Sequence, residues 1–222
     1  MQKFDTPASV SAVLDIPAGR IRCVGADRAG TTVEVRPSDA SKSRDVEAAE
    51  QTTVTYDGGV QRVEAPPAQN RILGACGSVE VTIQLPAGSH VEAKTASAGF
   101  RGVGRLGDVA FEGAQATVRL DETAGARLTL LAGDITVGRL GGTAEISTLK
   151  GDLHIAEAVR GTLTLRTEHG DIRVGATRGA SACLDAGTSY GRVHNALRNT
   201  DGAADLDIRA TTAHGDITAH SL

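Results

Sequence analysis

Four aspartates that each directly follow a glycine are the first residues in this sequence whose type and spacing could do chemistry. They are Asp134, Asp152, Asp171 and Asp216, and Arg192 holds the equivalent position in a fifth copy of the motif. Carboxylates repeated at a regular interval bind Ca²⁺ in some glycine-rich repeats, but those repeats supply several oxygen ligands per turn and each copy here offers one. We therefore predict that these aspartates accept backbone N–H groups in turns. Arg192, which the sequence places between Asp171 and Asp216, is expected to relieve their mutual repulsion.

The histidines form no pattern suited to a metal site. They are His90, His154, His169, His194, His214 and His220. His169 and His214 share the position before Gly-Asp, and His154 and His194 share the position three residues after the glycine. Other residue types interrupt both rows, so the ring nitrogens would not converge on one ion. We expect exposed side chains and no metal.

A column of threonines lies four residues before each Asp or Arg of the motif. Its members are Thr148, Thr167, Thr188 and Thr212, and Leu130 holds the same position in the first copy. Because a leucine shares the column, we predict that the threonines are partly buried. Stacked threonines can exchange hydroxyl hydrogen bonds between neighbouring strands while their methyl groups pack inward. This interpretation makes the column structural.

Motifs of catalysis and of nucleotide binding are missing from the sequence. It contains no Gly-x-Ser-x-Gly, no HExxH and no GxxxxGK, and Gly102-Val103-Gly104 is not followed by an amphipathic helix. Aromatic residues make up 2% of the chain, which leaves few platforms for stacking on sugars. We predict a protein that is not an enzyme, with no catalytic, cofactor-binding or metal-binding residues and no cofactor.

The spacing of the motif predicts the elements that position these side chains. Its glycines, Gly133, Gly151, Gly170, Gly191 and Gly215, are 18, 19, 21 and 24 residues apart. Aliphatic residues or Thr recur around each glycine with a period of two, as in strands that bury one face. Units of this length bury a face only when copies stack. The sequence therefore predicts an all-β, β-solenoid or β-helix-like stack of short strand–turn repeats over residues 78–222, with an antiparallel meander as the alternative.

The first part of the chain, residues 1–70, is predicted to be a β-rich segment that caps the stack. Strands are expected at residues 10–16, 20–24 and 31–35, and a hairpin at residues 54–63 that turns at Asp57-Gly58-Gly59. Good helix formers predict one short helix near residues 41–50. Residues 66–70 are the best candidate for a linker, although the cap and the stack are expected to be continuous.

Composition limits the classes of partner. The formal net charge is −4 and the arginines are scattered, which argues against nucleic acid. The three cysteines, Cys23, Cys76 and Cys183, are far apart and form no CxxC motif. We see no signal peptide and no apolar run long enough to cross a bilayer, so we predict a cytoplasmic protein that does not bind membranes.

The repeat also resembles a known family. The segment Gly161-Thr-Leu-Thr-Leu-Arg-Thr-Glu-His-Gly170-Asp-Ile-Arg-Val174 and its sister copies, with the opening Ile16-Pro17-Ala18-Gly19, are similar to the bacterial "putative-adhesin" family of β-strand-repeat proteins. That family is otherwise a domain of unknown function. The resemblance covers most of the chain and implies a parallel β-solenoid-like fold with no established activity.

Three functions agree with these observations. The leading hypothesis is a non-enzymatic scaffold whose sheets bind an unknown protein partner. The alternative, which the resemblance implies, is a cell-surface adhesin or glycan-binding protein. The third is a self-assembling structural protein, because the last strand, Ile217-Thr218-Ala219, would leave the end of the stack open to another copy.

Overall fold

The computed structural model describes residues 1–6, 8–66, 77–199 and 204–222. These residues form two compact units, Met1–Ala116 (unit 1) and Thr117–Leu222 (unit 2). Strands make up most of both units, which confirms the predicted all-β class. The predicted linker at residues 66–70 lies, apart from Pro66, outside the described residues. The predicted boundary between residues 70 and 78 stays a prediction.

Unit 1 contains the predicted short helix, α1 (Ser43–Gln51). Its strands are β1 (Gln2–Phe4), β2 (Ser11–Asp15), β3 (Ala18–Ala26), β4 (Thr31–Pro37), β5 (Thr53–Asp57), β6 (Val60–Glu64), β7 (Val79–Pro86), β8 (His90–Thr95) and β9 (Ser97–Gln115). None of the helices in the described part of the chain has the length and apolarity that crossing a bilayer requires.

The stack is built from rungs, each made of two strands, or two parts of one long strand, that meet at a corner. In unit 1, β2 lies parallel between β6 and β8, and β3 lies parallel between β7 and β9. The rung β2–β3 therefore lies between strands that come later in the chain. The parallel pairing excludes the antiparallel meander for this part of the molecule.

Antiparallel strands and α1 flank the parallel strands of unit 1. β4 pairs with β7, β1 pairs with β4, and the predicted hairpin pairs β5 with β6. Gly58 and Gly59 form its turn with φ angles of 55° and 83°, which favour glycine. Helix α1 buries Asp45, whose Oδ1 accepts a hydrogen bond of 2.9 Å from the backbone N–H of Ser78.

Unit 2 consists of strands that run in pairs around corners. They are β10 (Val118–Ala132), β11 (Ile135–Leu140), β12 (Ala144–Lys150), β13 (Leu153–Ala158), β14 (Gly161–His169), β15 (Ile172–Ala176), β16 (Ala182–Tyr190), β17 (Val193–Ala196), β18 (Leu206–His214) and β19 (Ile217–Ser221). The predicted aliphatic column after each Asp is confirmed, since Ile135, Leu153, Ile172 and Ile217 are at most 1% exposed. Their stacking keeps the interior of the rungs dry.

The rungs of unit 2 do not follow sequence order. β18 lies parallel between β14 and β16, and β19 lies parallel between β15 and β17. The expectation that residues 217–219 form the open end of the stack was therefore wrong. Within residues 117–199 and 204–222, β16 pairs only with β18 and β17 only with β19, so β16–β17 is the outer rung.

Burial explains this order. The inward side chains of the inserted rung, such as Ile208 and Ile217, are about 1% exposed, so they require a rung on each side. β17 instead places Asn195 in the inward column that Ala219 occupies on β19. A polar amide is acceptable there because the outer rung reaches water, whereas an enclosed amide without partners would be unfavourable.

Candidate functional site

The corner between the two strands of each rung in unit 2 gathers the residues that the sequence singled out. Its glycines stack directly on one another, and Gly133, Gly151, Gly170 and Gly215 adopt φ angles from 131° to 154°. A Cβ atom on Gly170 would lie 2.0 Å from the carbonyl oxygen of Gly151. The glycines are therefore required both by backbone conformation and by the close approach of neighbouring rungs.

The aspartates of this corner form a ladder of hydrogen bonds between rungs. Oδ1 of Asp134 accepts from the backbone N–H of Asp152 at 2.9 Å, and Oδ1 of Asp152 accepts from the N–H of Asp171 at 2.8 Å. Oδ1 of Asp171 accepts from the N–H of Asp216 at 2.9 Å. Each carboxylate thus satisfies the backbone donor at the start of the next rung. This geometry agrees with the predicted turn role.

Arg192 ends the ladder and does not interrupt it. Its backbone N–H donates to Oδ1 of Asp216 at 2.8 Å, and its Nη2 lies 3.9 Å from Oδ2 of the same carboxylate. The predicted position between Asp171 and Asp216 was wrong, because the inserted rung makes Asp171 and Asp216 direct neighbours. A carboxylate is not required on the outer rung, since no further rung of this chain presents a corner N–H among the described residues.

Three threonines of the column donate to glycine carbonyls, and Thr148 donates to the carbonyl oxygen of Lys150. Oγ1 of Thr167 donates to the carbonyl oxygen of Gly151 at 3.1 Å, and Oγ1 of Thr212 donates to that of Gly170, also at 3.1 Å. Both side chains are buried. The predicted burial is right, whereas the predicted exchange between hydroxyl groups is wrong. The carbonyl of the tight glycine corner is the nearer acceptor.

Two histidines and a tyrosine stack on the outside of the same corner. The ring centroids of His169 and His214 are 4.7 Å apart, and those of His214 and Tyr190 are 4.9 Å apart, with interplanar angles of 20° and 11°. His169 and His214 are neighbours because the inserted rung brings them together. In the described part of the chain, no group of three or more His, Cys, Asp or Glu residues could hold a metal ion.

Unit 1 satisfies its corner donors with different side chains. The hydroxyl of Ser89, which is fully buried, accepts from the backbone N–H of Val10 at 3.1 Å. Nδ1 of His90 accepts from the backbone N–H of Asp108 at 3.2 Å. Ser89 and His90 accept backbone N–H groups as the aspartates do in unit 2, but they do not belong to a repeated sequence motif.

The model of the Toastrack DUF4097 family matches residues 103–220, which include every rung of unit 2. The chain belongs to the Toastrack family. This agrees with the predicted resemblance to a bacterial family of unknown function.

Solved structures share the fold of this Toastrack chain. A crystal structure titled "putative adhesin" from Bacteroides fragilis is 12% identical, covers 98% of this chain and 95% of its own, and superposes with a TM-score of 0.57. Another "putative adhesin", from Parabacteroides distasonis, is also 12% identical with the same coverage and a TM-score of 0.52. At this identity the likeness concerns the fold. No curated protein matches the chain.

Sequence reasoning missed two surface features of unit 2. Leu131 on β10 and Leu149 on β12 are 55% and 47% exposed, and the register of the two strands places them side by side. On the outer rung, Tyr190 and Val193 are 71% and 45% exposed. Asn195 in an inward column and Arg192 in the Asp column are the sequence signals that could have identified the outer rung.

The two described cysteines have opposite surroundings. Burial raises the pKa of the Cys23 thiol in unit 1 to about 12, whereas Cys183 on the outer rung is exposed. Cys76 lies outside the described residues. A thiol that stays protonated in an apolar core is a packing residue, so Cys23 is not a nucleophile.

Proposed function

We propose that the protein is a non-enzymatic scaffold that binds a protein partner through the outward faces of its stacked sheets. The proposal rests on one observation, which is that the polar side chains at the corners form hydrogen bonds within the stack. The Asp and Thr residues of the repeat bond to the backbone of neighbouring rungs, as at Asp171 and Thr212. Their chemistry stabilises the stack, while the outward side chains vary from rung to rung and remain available for recognition.

The exposed leucine pair is the best candidate for the centre of a contact. Leu131 and Leu149 lie together on one outward face. Next to them, the hydroxyl oxygens of Ser147 and Thr129 are 3.5 Å apart. An apolar centre within a polar surface is the arrangement of many protein interfaces. We propose that this partner is a cytoplasmic protein.

Affinity capture from the native organism tests this proposal with matched variants. The leucine variant carries Leu131→Asp and Leu149→Asp, and the control carries Thr164→Asp and Thr211→Asp, which change exposed outward threonines of the same unit. We expect a partner that is retained by wild type and by the control and is reduced at least tenfold by the leucine variant. Equal retention by all three proteins would contradict the leucine site, and the absence of a specific protein would contradict the scaffold function.

The alternative is a cell-surface adhesin or glycan-binding protein. It is favoured by the name "putative adhesin" that the structural neighbours from Bacteroides fragilis and Parabacteroides distasonis carry. Treating intact cells with protease distinguishes the two functions, with a cytosolic enzyme and a known surface protein as controls. Resistance until the cells are lysed supports the scaffold, whereas digestion on intact cells supports adhesion.

A further inference from the structure

Among the described residues, no strand pairs with the outer backbone edge of β16 or of β17. Its inward residues Leu184, Ala186 and Thr188 are half-buried, and Val193 and Asn195 are exposed, although their columns are closed elsewhere in unit 2. Unpaired strand edges are templates for pairing with another chain. The question is which chain fits this edge.

The alternation of backbone hydrogen bonds along β16 and β17 shows which of their residues present free backbone groups. The N–H of Leu206 donates to the carbonyl of Ser181, and that of Ile217 donates to the carbonyl of Arg192. Alternate residues of a parallel strand bond to the same neighbour, so the outward-facing residues of β16 and β17 bond to the inserted rung. The inward residues of both strands, Thr188 and Asn195 among them, direct N–H and C=O away from it.

A parallel continuation of the stack does not fit this edge. Each inner rung offers an aspartate oxygen to the corner N–H of the next rung, as Asp216 does for Arg192. Arg192 has no acceptor atom in its side chain. An added parallel rung would therefore bury a corner N–H without a partner, which is unfavourable.

A second copy that meets the edge in the opposite direction has no such defect. The corner N–H of its own Arg192 is already bonded to its own Asp216. A two-fold axis through the corner, between the end of β16 and the start of β17, pairs β16 of each copy antiparallel with β17 of the other. Thr188 then faces Asn195 with free backbone groups on both residues, whereas the carbonyl of Tyr190 keeps its bond from the N–H of Gly215. One extended strand could cover only one of the two edges.

Side chains in this register are complementary. Val193 of each copy extends the inward column of Ile217 and is enclosed by the pairing, whereas Tyr190 stays stacked on His214 at the outside of the corner. Thr188 then faces Asn195, and Ser189 faces His194, which pairs polar groups with polar groups. The charge of Arg192 is balanced within its own chain by Asp216, 3.9 Å away.

We propose that two copies of this chain form a closed two-fold dimer by antiparallel pairing of their β16–β17 outer rungs. A two-fold interface uses the same surface on both copies, so assembly stops at the dimer and gives no fibre. This proposal places self-assembly at the outer rung β16–β17 and not at residues 217–219, and it does not depend on the proposed protein partner.

Light scattering of the full chain over a range of concentrations tests the dimer. We expect a dimer for wild type and at least a tenfold weaker association for Val193→Lys, because the pairing would enclose one added charge from each copy in the inward column. Thr211→Lys, on the outward face of β18 one rung away, is the control and should leave the dimer unchanged. Circular dichroism establishes that the variants fold. A monomer at high concentration, larger open assemblies, or a dimer that Val193→Lys leaves intact would overturn the proposal.

Disulfide trapping tests the register independently. Ser189→Cys and His194→Cys are introduced into separate chains that carry Cys76→Ser and Cys183→Ser. Under mild oxidation, we expect the mixture of the two proteins to form a covalent dimer at least tenfold faster than either protein alone. Equal rates in the mixture and in the separate proteins would overturn the antiparallel arrangement.

Discussion

Units 1 and 2 solve the same structural problem with different side chains. Both place a rung out of sequence order, since β2–β3 lies between later strands in unit 1 and β18–β19 lies between earlier strands in unit 2. At the corners, unit 2 repeats one Asp-to-N–H bond, whereas unit 1 uses Ser89 and His90. The comparison shows that the stacking geometry fixes which backbone donors need partners, while several side chains can supply the acceptor.

The largest expected contrast between the units is in thiol reactivity. In a Cys76→Ser protein, Cys183 should react with a maleimide at pH 8 about a thousandfold faster than Cys23, since only an exposed thiol forms the reactive thiolate readily. Burial raises the pKa of the Cys23 thiol to about 12, so the thiol is neutral at the pH of the reaction. Mass spectrometry of peptides measures both rates. Similar rates in the native protein would contradict the assigned burial.

Substitutions in the inserted rungs test the order that both units share. Leu14→Asp in β2 and Ile217→Asp in β19 should each lower the free energy of unfolding by about 4 kcal/mol, because an unpaired charge enters a closed interior. Val193→Asp changes the same column as Ile217 but on the outer rung, and should cost less than about 1 kcal/mol. Chemical denaturation of the monomer measures all three. A larger loss of unfolding free energy at Val193 than at Ile217 would indicate that the rungs of unit 2 follow sequence order.

The glycine column distinguishes the corner of unit 2 by its close backbone contacts. Gly170→Ala should destabilise the protein by about 3 kcal/mol, since the new methyl group meets the carbonyl of Gly151 at an unfavourable φ. Gly187→Ala on β16 is the control, because a Cβ atom there meets no atom within 4 Å. Both are measured by denaturation at a concentration that keeps the chain monomeric. A similar cost for the two variants would show that the corner adapts.

Removal of one acceptor in each unit should give the smallest effects. Asp171→Ala and Ser89→Ala should each cost about 1–2 kcal/mol, because a backbone N–H loses its partner. Asp171→Asn keeps an acceptor oxygen and should recover most of the loss, whereas a purely electrostatic role would leave Asn as harmful as Ala. The same denaturation measurement decides between these outcomes. Equal costs in the two units would show that the acceptors are interchangeable in energy as well as in position.

Sequence reasoning predicted the features that depend on local repetition. The Gly-Asp motif and the aliphatic residue after it identified the strands, the corners and the dry column that contains Ile135 and Ile172. A helix near residues 41–50 and the hairpin at Gly58-Gly59 also follow from local propensity. These features need no knowledge of which rung lies next to which.

The order of the rungs could not be predicted, because it depends on contacts between distant segments. All rungs of unit 2 have similar inward residues, so exchanging two of them changes few side-chain contacts. Two residues distinguish the outer rung. Arg192 is the single exception in the Asp column, and Asn195 is the single exception in its inward column. The leucine pair was missed for the same reason, since its exposure depends on the pairing of β10 with β12.

The inserted strands β18 and β19 also govern when the stack can be completed during synthesis. Repeat proteins can grow by adding each new unit to its neighbour as it leaves the ribosome. Here β16 and β17 emerge first, but within the described part of the chain they pair only with residues 206–221, which are synthesised later. Until then, β16 and β17 remain unpaired or pair temporarily with β14 and β15. In the second case, β18 and β19 must displace β16 and β17 from these strands. We expect this exchange of partners to be the slow step in the maturation of the nascent chain.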